Sequence, residues 1–401
     1  MSDAGPLTVL CISTYEKGQA FIRECKAQGC RVLLLTIDKL RDANWPREAI
    51  DAFYYIPREI GREDLMKGVS HIARTERLDR IVALDDFDVE TAAMLREHLR
   101  VPGMGETTAR YFRDKLAERM KARNFGILVP DFVHVVNDAL IAHFAETTAL
   151  PWILKPRSQA AAIGMKKIEQ ADQLWPAIEA LGDRRSFYVL ERFVAGDVFH
   201  VDSIVWDRQV VFQAMHQYGD PPYQVAHGGG IFTTRSVART DPAWAALEKV
   251  NRDVLTTFGI VRGVAHTEFI RSAADGRFLF LETSARVGGA FIVDLVEAET
   301  GLNLWREWAR LEVAGEEGQY EVPAVQDRFA GLLLTLARQE MPDTSAYTDP
   351  EIVFRVTKPN HAGLIVASTD QARVETLLHD YSERFAGDFY AFAPAPDRPP
   401  G

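Results

Sequence analysis

Apolar residues in the first hundred positions fall into two alternating kinds of run. Leu7 to Ser13, Val32 to Thr36 and Arg80 to Asp85 are short, continuous and β-rich, the pattern of strands covered on both faces. Lys17 to Gln28 and Asp88 to Leu99 space their apolar residues helically, with Gly29 ending the first and a Pro102-Gly103 break after the second. Strands alternating with helices predict an open parallel sheet. From Thr108 to Asn124, Phe112, Leu116 and Met120 recur every fourth position and predict one amphipathic helix, closed by Gly126 and Pro130. Strands at Phe132 to Val135, Trp152 to Lys155 and Phe187 to Phe193, with helices at Asp138 to Thr147 and Gln170 to Leu181, make the middle α+β. Beyond about Ala314 the texture changes to strands at Leu332 to Ala337, Ile352 to Thr357 and Gly363 to Ala367, and a helix from Gln371 to Phe385. The expected organisation is an N-terminal α/β domain over 1–107, a central domain over 108–313, a small α+β closing domain over 314–393 and a disordered proline-rich tail over 394–401.

The length of 401 residues suits two or three domains, each with its own core. A net charge of −11 repels phosphate backbones and anionic lipid, so neither nucleic acid nor membrane is an expected partner, and a soluble enzyme of small molecules is. Cys11, Cys25 and Cys30 are too few and wrongly spaced for a disulfide framework or a zinc site, and are expected to be reduced, buried thiols, Cys11 in the core rather than a nucleophile. The amino terminus lacks a basic region and its apolar run is short for a signal peptide or a span, which points to the cytoplasm. A dinucleotide fold needs GxGxxG after the first strand. Ser13-Thr14-Tyr15-Glu16-Lys17-Gly18 stands there instead.

The most informative segment is Gly263 to Arg286, two apolar runs around a glycine-containing turn, which reads as a β-hairpin. With Ala274-Asp275-Gly276 as a three-residue loop, Ala273 pairs with Arg277, and the ladder sets Glu268 opposite Glu282. His266 and Glu268 then share a face with Phe280, Glu282 and Ser284, and the two acidic residues sit roughly 5 Å apart at their β-carbons. Two facing anions need a shared proton or a cation, and carboxylate oxygens suit Mg²⁺. A one-residue slip would instead set Glu268 beside Thr283 on a solvated hairpin. Lys155 ends the apolar strand Pro151 to Leu154 and enters a loop of small residues, Pro156 to Gly164, of the kind that closes over phosphates while a lysine neutralises them. Further on, Tyr188 to Asp197 carries an apolar strand through Glu191 into a Gly196 turn, an edge able to present backbone groups to a purine.

Taken in order, Asp114-Lys115, Leu154-Lys155-Pro156, Glu191-x-Phe193-Val194-x-Gly196, Glu268-Phe269 and Glu282-x-Ser284-x-Arg286-x-Gly288-Gly289 resemble the ATP-grasp superfamily, in particular its carboxylate-amine ligases related to bacterial L-amino-acid ligases and biotin carboxylase. The resemblance runs from about residue 5 to 310. It implies an ATP-grasp nucleotide-binding core over 108–313, Lys115 and Lys155 on ATP phosphates, and Glu191 with the backbone of Phe193 and Val194 on adenine. It also implies Mg²⁺, with Mn²⁺ as an alternative, on Glu268 and Glu282, Arg286 and Lys155 acting on the transferred phosphoryl group, and the backbone of Gly288 and Gly289 against the substrate. Relatives of this kind suggest a homodimer.

Three positions depart from the family pattern. Ser284 replaces the usual metal-side Asn, Val198 replaces the ribose-binding acid and leaves Asp197 or His200 as substitutes, and alanines stand in the phosphate loop where relatives are often glycine-rich. In His227-Gly228-Gly229-Gly230, three glycines predict a mobile loop whose histidine either meets an incoming substrate or is incidental to a surface turn. His266 is expected to pack or hydrogen-bond rather than to ligate. The expected activity is an ATP-dependent ligase joining a carboxylic acid to an amine through an acyl phosphate, with amino acids as the candidates for both. The alternatives are a bicarbonate-phosphorylating, carboxylase-like enzyme and a non-catalytic ATP-binding sensor.

Overall fold

A computed structural model describes residues 5–160, 162–316 and 318–393; the tail expected over 394–401 lies outside the described residues. Four parallel strands, β1 (Thr8–Ser13), β2 (Arg31–Ile37), β3 (Ala52–Ile56) and β4 (Arg80–Ala83), form the N-terminal sheet in the order β3-β2-β1-β4. β1 is buried along its whole length, as its unbroken apolar run requires. β3 and the helix Arg62–Ile72 complete the α/β alternation. All three cysteines are buried in or beside this sheet.

β5 (Phe132–His134), β6 (Trp152–Pro156), β7 (Lys166–Ile168) and β8 (Tyr188–Arg192) form a small antiparallel sheet in the order β5-β8-β6-β7. The remaining strands make one eight-stranded antiparallel sheet. These are β9 (Gly196–Trp206), β10 (Gln209–Tyr218), β11 (Phe232–Ser236), β12 (Gly263–Ser272), β13 (Phe278–Ser284), β14 (Phe329–Leu336), β15 (Ile352–Arg355) and β16 (His361–Ser368), ordered β13-β12-β9-β10-β11-β14-β16-β15. The C-terminal strands β14 to β16 therefore continue the sheet that carries the hairpin, joined to it through β11 and β14. β9 is buried on both faces for most of its length, so it shows no alternation by which the sequence could reveal it.

The single helix expected over Thr108 to Asn124 is two. Glu106–Arg110 ends before Asp114, whose carboxylate accepts from the amides of Leu116 and Ala117 and so starts a new helix, Lys115–Asn124. The every-fourth-residue stripe does not form its buried face either: Met120 is 42% exposed, while Lys115, Glu118, Arg119 and Ala122 are buried. Helical spacing was present in both sets, and the charged set faces inward because opposite charges meet it there, Glu282 at Lys115 and Glu191 at Arg119.

One face of the large sheet packs on the helix Pro242–Phe258, where Phe258 meets Phe112 and Phe280 edge to face at centroid distances of 5.9 and 5.4 Å. The other side of the molecule is closed by the helices Ile292–Thr300 and Leu304–Ala314, the latter against Gln19–Ala27 of the N-terminal domain. Phe258→Ala removes the ring that joins the hairpin to this core and is expected to cost about 3–5 kcal/mol, read as a lowered thermal unfolding midpoint.

Asp88 gives the fold a pH dependence. It is buried, accepts from the Thr14 amide at 2.8 Å and the Thr14 hydroxyl at 2.9 Å, and burial, with Asp85 nearby, pushes its carboxyl up to about 7. The folded state thus keeps a proton that an unfolded chain releases near pH 4, and stability is expected to fall as pH rises from roughly 4 to 7. Unfolding midpoints across that range should slope less for Asp88→Asn than for the unaltered protein.

Candidate active site

The hairpin is β12 and β13, and Glu268 lies opposite Glu282 with His266 opposite Ser284. The route to this register differs from the one expected. Next to the turn Ser272, not Ala273, bonds Arg277, with its amide donating to the Arg277 carbonyl at 2.9 Å. Phe269 accordingly pairs with Phe280. A bulge at Leu281 then adds one residue to β13 and returns the ladder to the Glu268–Glu282 pairing. It also moves Phe280 off the carboxylate face where it was expected: its ring packs on Phe269 and Phe258 in the core behind.

Each acidic side chain already has partners. Lys115 Nζ lies 2.5 Å from Glu282 Oε2. Burial alone would lower this ammonium, but Glu282 and Glu118 outweigh it and hold Lys115 above the usual lysine value. Burial acts upward on Glu282 and is overcome by Lys115, which brings its carboxyl down to about 2. The Tyr218 hydroxyl donates to Glu268 Oε1 at 2.8 Å, and His266 Nε2 is 3.7 Å from the same oxygen. His266 Nδ1 meets Asp202 at 2.9 Å, and Asp202 also takes His200 Nδ1 at 2.8 Å. His266 is thus a hydrogen-bonding residue, as expected. These three residues bring potential metal-ligating atoms within 4.8 Å of one another, but their mutual hydrogen bonds account for the cluster.

Lys155, at the end of β6, pairs with Glu191 of β8 at 2.6 Å, and Arg119 Nε lies 3.1 Å from the other Glu191 oxygen. All three are buried. Burial lowers the Lys155 ammonium from its usual value, against Glu191, while Arg119 and Lys155 hold the buried Glu191 carboxyl down. The Glu191 carboxylate, expected at adenine, is therefore spent on two cations. The phosphate loop is drawn onto the start of Lys115–Asn124: the Lys115 ammonium donates to the Gln159 carbonyl at 2.9 Å, the Lys115 amide to Arg157, and Arg113 to the Ser158 carbonyl at 2.7 Å. Arg157 clasps Asp114 in return. Ala162 takes φ +58°, a left-handed conformation that a glycine would adopt without steric cost.

Arg286 is partly buried, donates to the Val287 carbonyl at 2.8 Å, and stands with Nε 3.8 Å from Asp86, which follows β4 of the N-terminal sheet, an Nε that makes no hydrogen bond among the described residues. Asp86 also binds Arg113 at 2.7 Å. Gly288 is required where it is, since a Cβ would fall 2.5 Å from Ile292 and 2.9 Å from Asp202, whereas Gly289 has open space.

His227 and Gly228 belong not to a mobile loop but to the helix Pro222–Gly228. The His227 ring stacks on Tyr223 at 4.3 Å, Tyr223 meets Phe193 at 6.1 Å, and Lys167 lies 4.5 Å over the Phe193 ring. Only Gly229 and Gly230 form the following turn, and a Cβ on Gly229 would strike the Tyr390 hydroxyl at 2.1 Å. Val194 and Val198 are core, together with Ile270 and Leu279. Of the two substitutes for the ribose acid, His200 is enclosed between Asp202 and Thr234, and Asp197 is held by Arg271 at 2.6 Å. Sequence reasoning missed Arg119, Glu118, Arg113, Asp86 and Arg157. A signal for the first two exists, the spacing of Lys115, Glu118, Arg119 and Ala122 on one helix face.

No known family profile matches the chain. By sequence it is similar to the L-arginine-specific L-amino acid ligase of Bacillus subtilis, 26% identical over 267 residues that make up 65% of this chain and 64% of that enzyme. It is also similar to the D-alanine–D-alanine ligase of Nitrosomonas eutropha, 27% identical over 156 residues, 37% of this chain and 48% of that one. The matched stretch spans less than two thirds of either relative. By structure it resembles an L-amino acid ligase from Bacillus licheniformis, with a TM-score of 0.74 at 18% identity over 97% of this chain and 99% of the other. An N5-carboxyaminoimidazole synthetase from Staphylococcus aureus, complexed with ADP, gives 0.72 at 15% identity over 95% and 98%. No helix among the described residues is long and apolar enough to cross a membrane. The chain therefore has the ATP-grasp fold, and its sequence relatives are amino-acid ligases.

Proposed function

We propose that the protein is an ATP-dependent carboxylate-amine ligase that joins two amino acids through an acyl phosphate. The observation that carries this reading is the pairing of Glu268 with Glu282 beside three inward-facing cations, Lys115, Lys155 and Arg286. The donor set fits a nucleotide with a divalent cation: carboxylates for a hard metal, buried ammonium groups for phosphates, and an Arg286 Nε without a hydrogen bond. Glu268 and Glu282 would hold Mg²⁺, which when bound supplies charge neutralisation between the transferring phosphates.

The chain's own residues do the rest. Lys115 and Lys155 bind and orient the phosphates, and the backbone at Phe193 and Val194 receives the adenine. Arg286, steadied by Asp86, faces the charge that develops as the substrate carboxylate oxygen attacks the γ-phosphorus and the bond to ADP breaks. An amine then displaces phosphate from the acyl carbon, losing its proton as the amide forms. Gly288 and Gly289 allow the backbone to approach that carbon, and water must be kept out to prevent hydrolysis of the intermediate.

The test is ADP formation with pairs of amino acids, with product masses measured in parallel. Turnover that needs both an acid and an amine, with a dipeptide mass, is expected. ADP formed with bicarbonate alone would favour the carboxylase-like reading, and ATP binding without turnover for any pair would favour the sensor. Glu282→Gln is expected to lower pair-dependent ADP formation by about 100-fold or more. Arg286→Gln should lower kcat by a similar factor, about 100-fold, while nucleotide affinity, read by calorimetry, changes little.

A further inference from the structure

Away from the paired carboxylates, a cavity of about 210 Å³ opens between the N-terminal sheet and the start of β12. At a water's share of about 30 Å³ this is room for roughly seven waters or one small organic ion. Its walls are mixed, with Ile81, Met104 and Trp308 supplying apolar surface beside the charged Arg96, Arg262 and Glu312, and its rim is open at Pro102, Gly103 and Val261.

Neither of its two guanidiniums has a carboxylate at hydrogen-bond distance among the described residues. Arg96 donates Nε to the Met104 carbonyl at 2.8 Å and Nη1 to the Ile81 carbonyl at 2.7 Å, and meets no carboxylate at hydrogen-bond distance among the described residues. Burial pulls its guanidinium down to about 10. The Arg262 side chain is 9% exposed, and its buried Nε has no hydrogen-bond partner among the described residues. The nearest acid, Glu312, stands 4.0 Å from Arg262 Nη2 and is engaged elsewhere, accepting from the Trp308 indole at 3.2 Å. Outside the cavity lining, Arg80 donates to the Glu312 carbonyl at 2.8 Å. Glu316 lines the cavity but is exposed. A buried guanidinium donor left without an acceptor costs free energy that an anion would recover, and a planar carboxylate matches its fork.

We propose that this cavity is a binding site for a small carboxylate with a short apolar body, its carboxyl group on Arg262 and Arg96 and its body on the Met104 and Trp308 walls. Two guanidinium forks match the two oxygens of a carboxylate, and Met104 and Trp308 its apolar body, whereas inorganic phosphate would leave oxygens without donors. Ala285, the neighbour of Arg286, and Ala83, at the end of β4 before Asp86, both line the cavity. An occupant would therefore touch the two segments that carry the Arg286–Asp86 pair. The proposal does not rest on the ligase reading.

Isobutyrate, six non-hydrogen atoms, is the probe, titrated calorimetrically into the full chain, with inorganic phosphate as the second arm. Saturable binding with a Kd on the order of 1 mM is expected, weakened at least tenfold in Arg262→Gln. Thr108→Phe, which fills the cavity from a half-buried lining position, should weaken it as much and serves if Arg262→Gln does not fold. Carboxylate binding at the ligase site would survive both changes. Absence of saturable binding, binding that survives the variants that fold, or phosphate binding as tightly as isobutyrate would overturn the proposal.

Discussion

Leu281 is one residue more than the β12–β13 ladder needs, and the placement of both acidic side chains depends on it. Next to the turn the strands pair one step out of the register that sets Glu268 against Glu282, and the bulge restores that step. Because side chains alternate along a strand, a shift of one residue is enough to exchange the carboxylate face with the face that packs on Phe258. The bulge lets Phe280 fill the core while Glu282, two residues later, faces the site.

The same constraint explains the charges around the hairpin. Two carboxylates in register repel unless cations stand between or beside them, and the helix Lys115–Asn124 supplies the first of these by turning Lys115, Glu118 and Arg119 inward. Arg119 and Lys155 neutralise Glu191 in turn, and Arg286 and Arg113 share Asp86. Buried ions are stable only in such mutual arrangements, so the groups are interdependent: Glu191 is shared by Arg119 and Lys155, and Asp86 by Arg113 and Arg286. A nucleotide with its metal would enter a lattice of charge that is already compensated and would exchange partners within it.

The large sheet extends this frame to the C-terminal residues. β14 to β16 add to the edge of β11, and the chain after the last helix returns to Gly229, where Tyr390 leaves no room for a side chain. Residues 329–368 thus share a continuous sheet with the hairpin, and the helix that carries His227 is packed between Phe193 and the C-terminal end. What looks in sequence like a glycine-rich mobile loop is a short helix followed by a tight turn.

The alternation of apolar runs and helical spacing in the first hundred residues was enough to specify the parallel sheet, because strands covered on both faces leave a continuous apolar signature. The ordered acidic, basic and glycine positions from Lys115 to Gly289 were enough to point to the ATP-grasp fold, because that arrangement carries particular residue types in a fixed order. Which groups pair with which was decided only in three dimensions. No local pattern shows that Arg119 reaches Glu191, that Asp86, beyond β4 of the parallel sheet, faces Arg286, or that Met120 lies outside while Arg119 lies within. Those outcomes follow from desolvation: a charge is turned inward only where an opposite charge, distant in the chain, arrives to meet it.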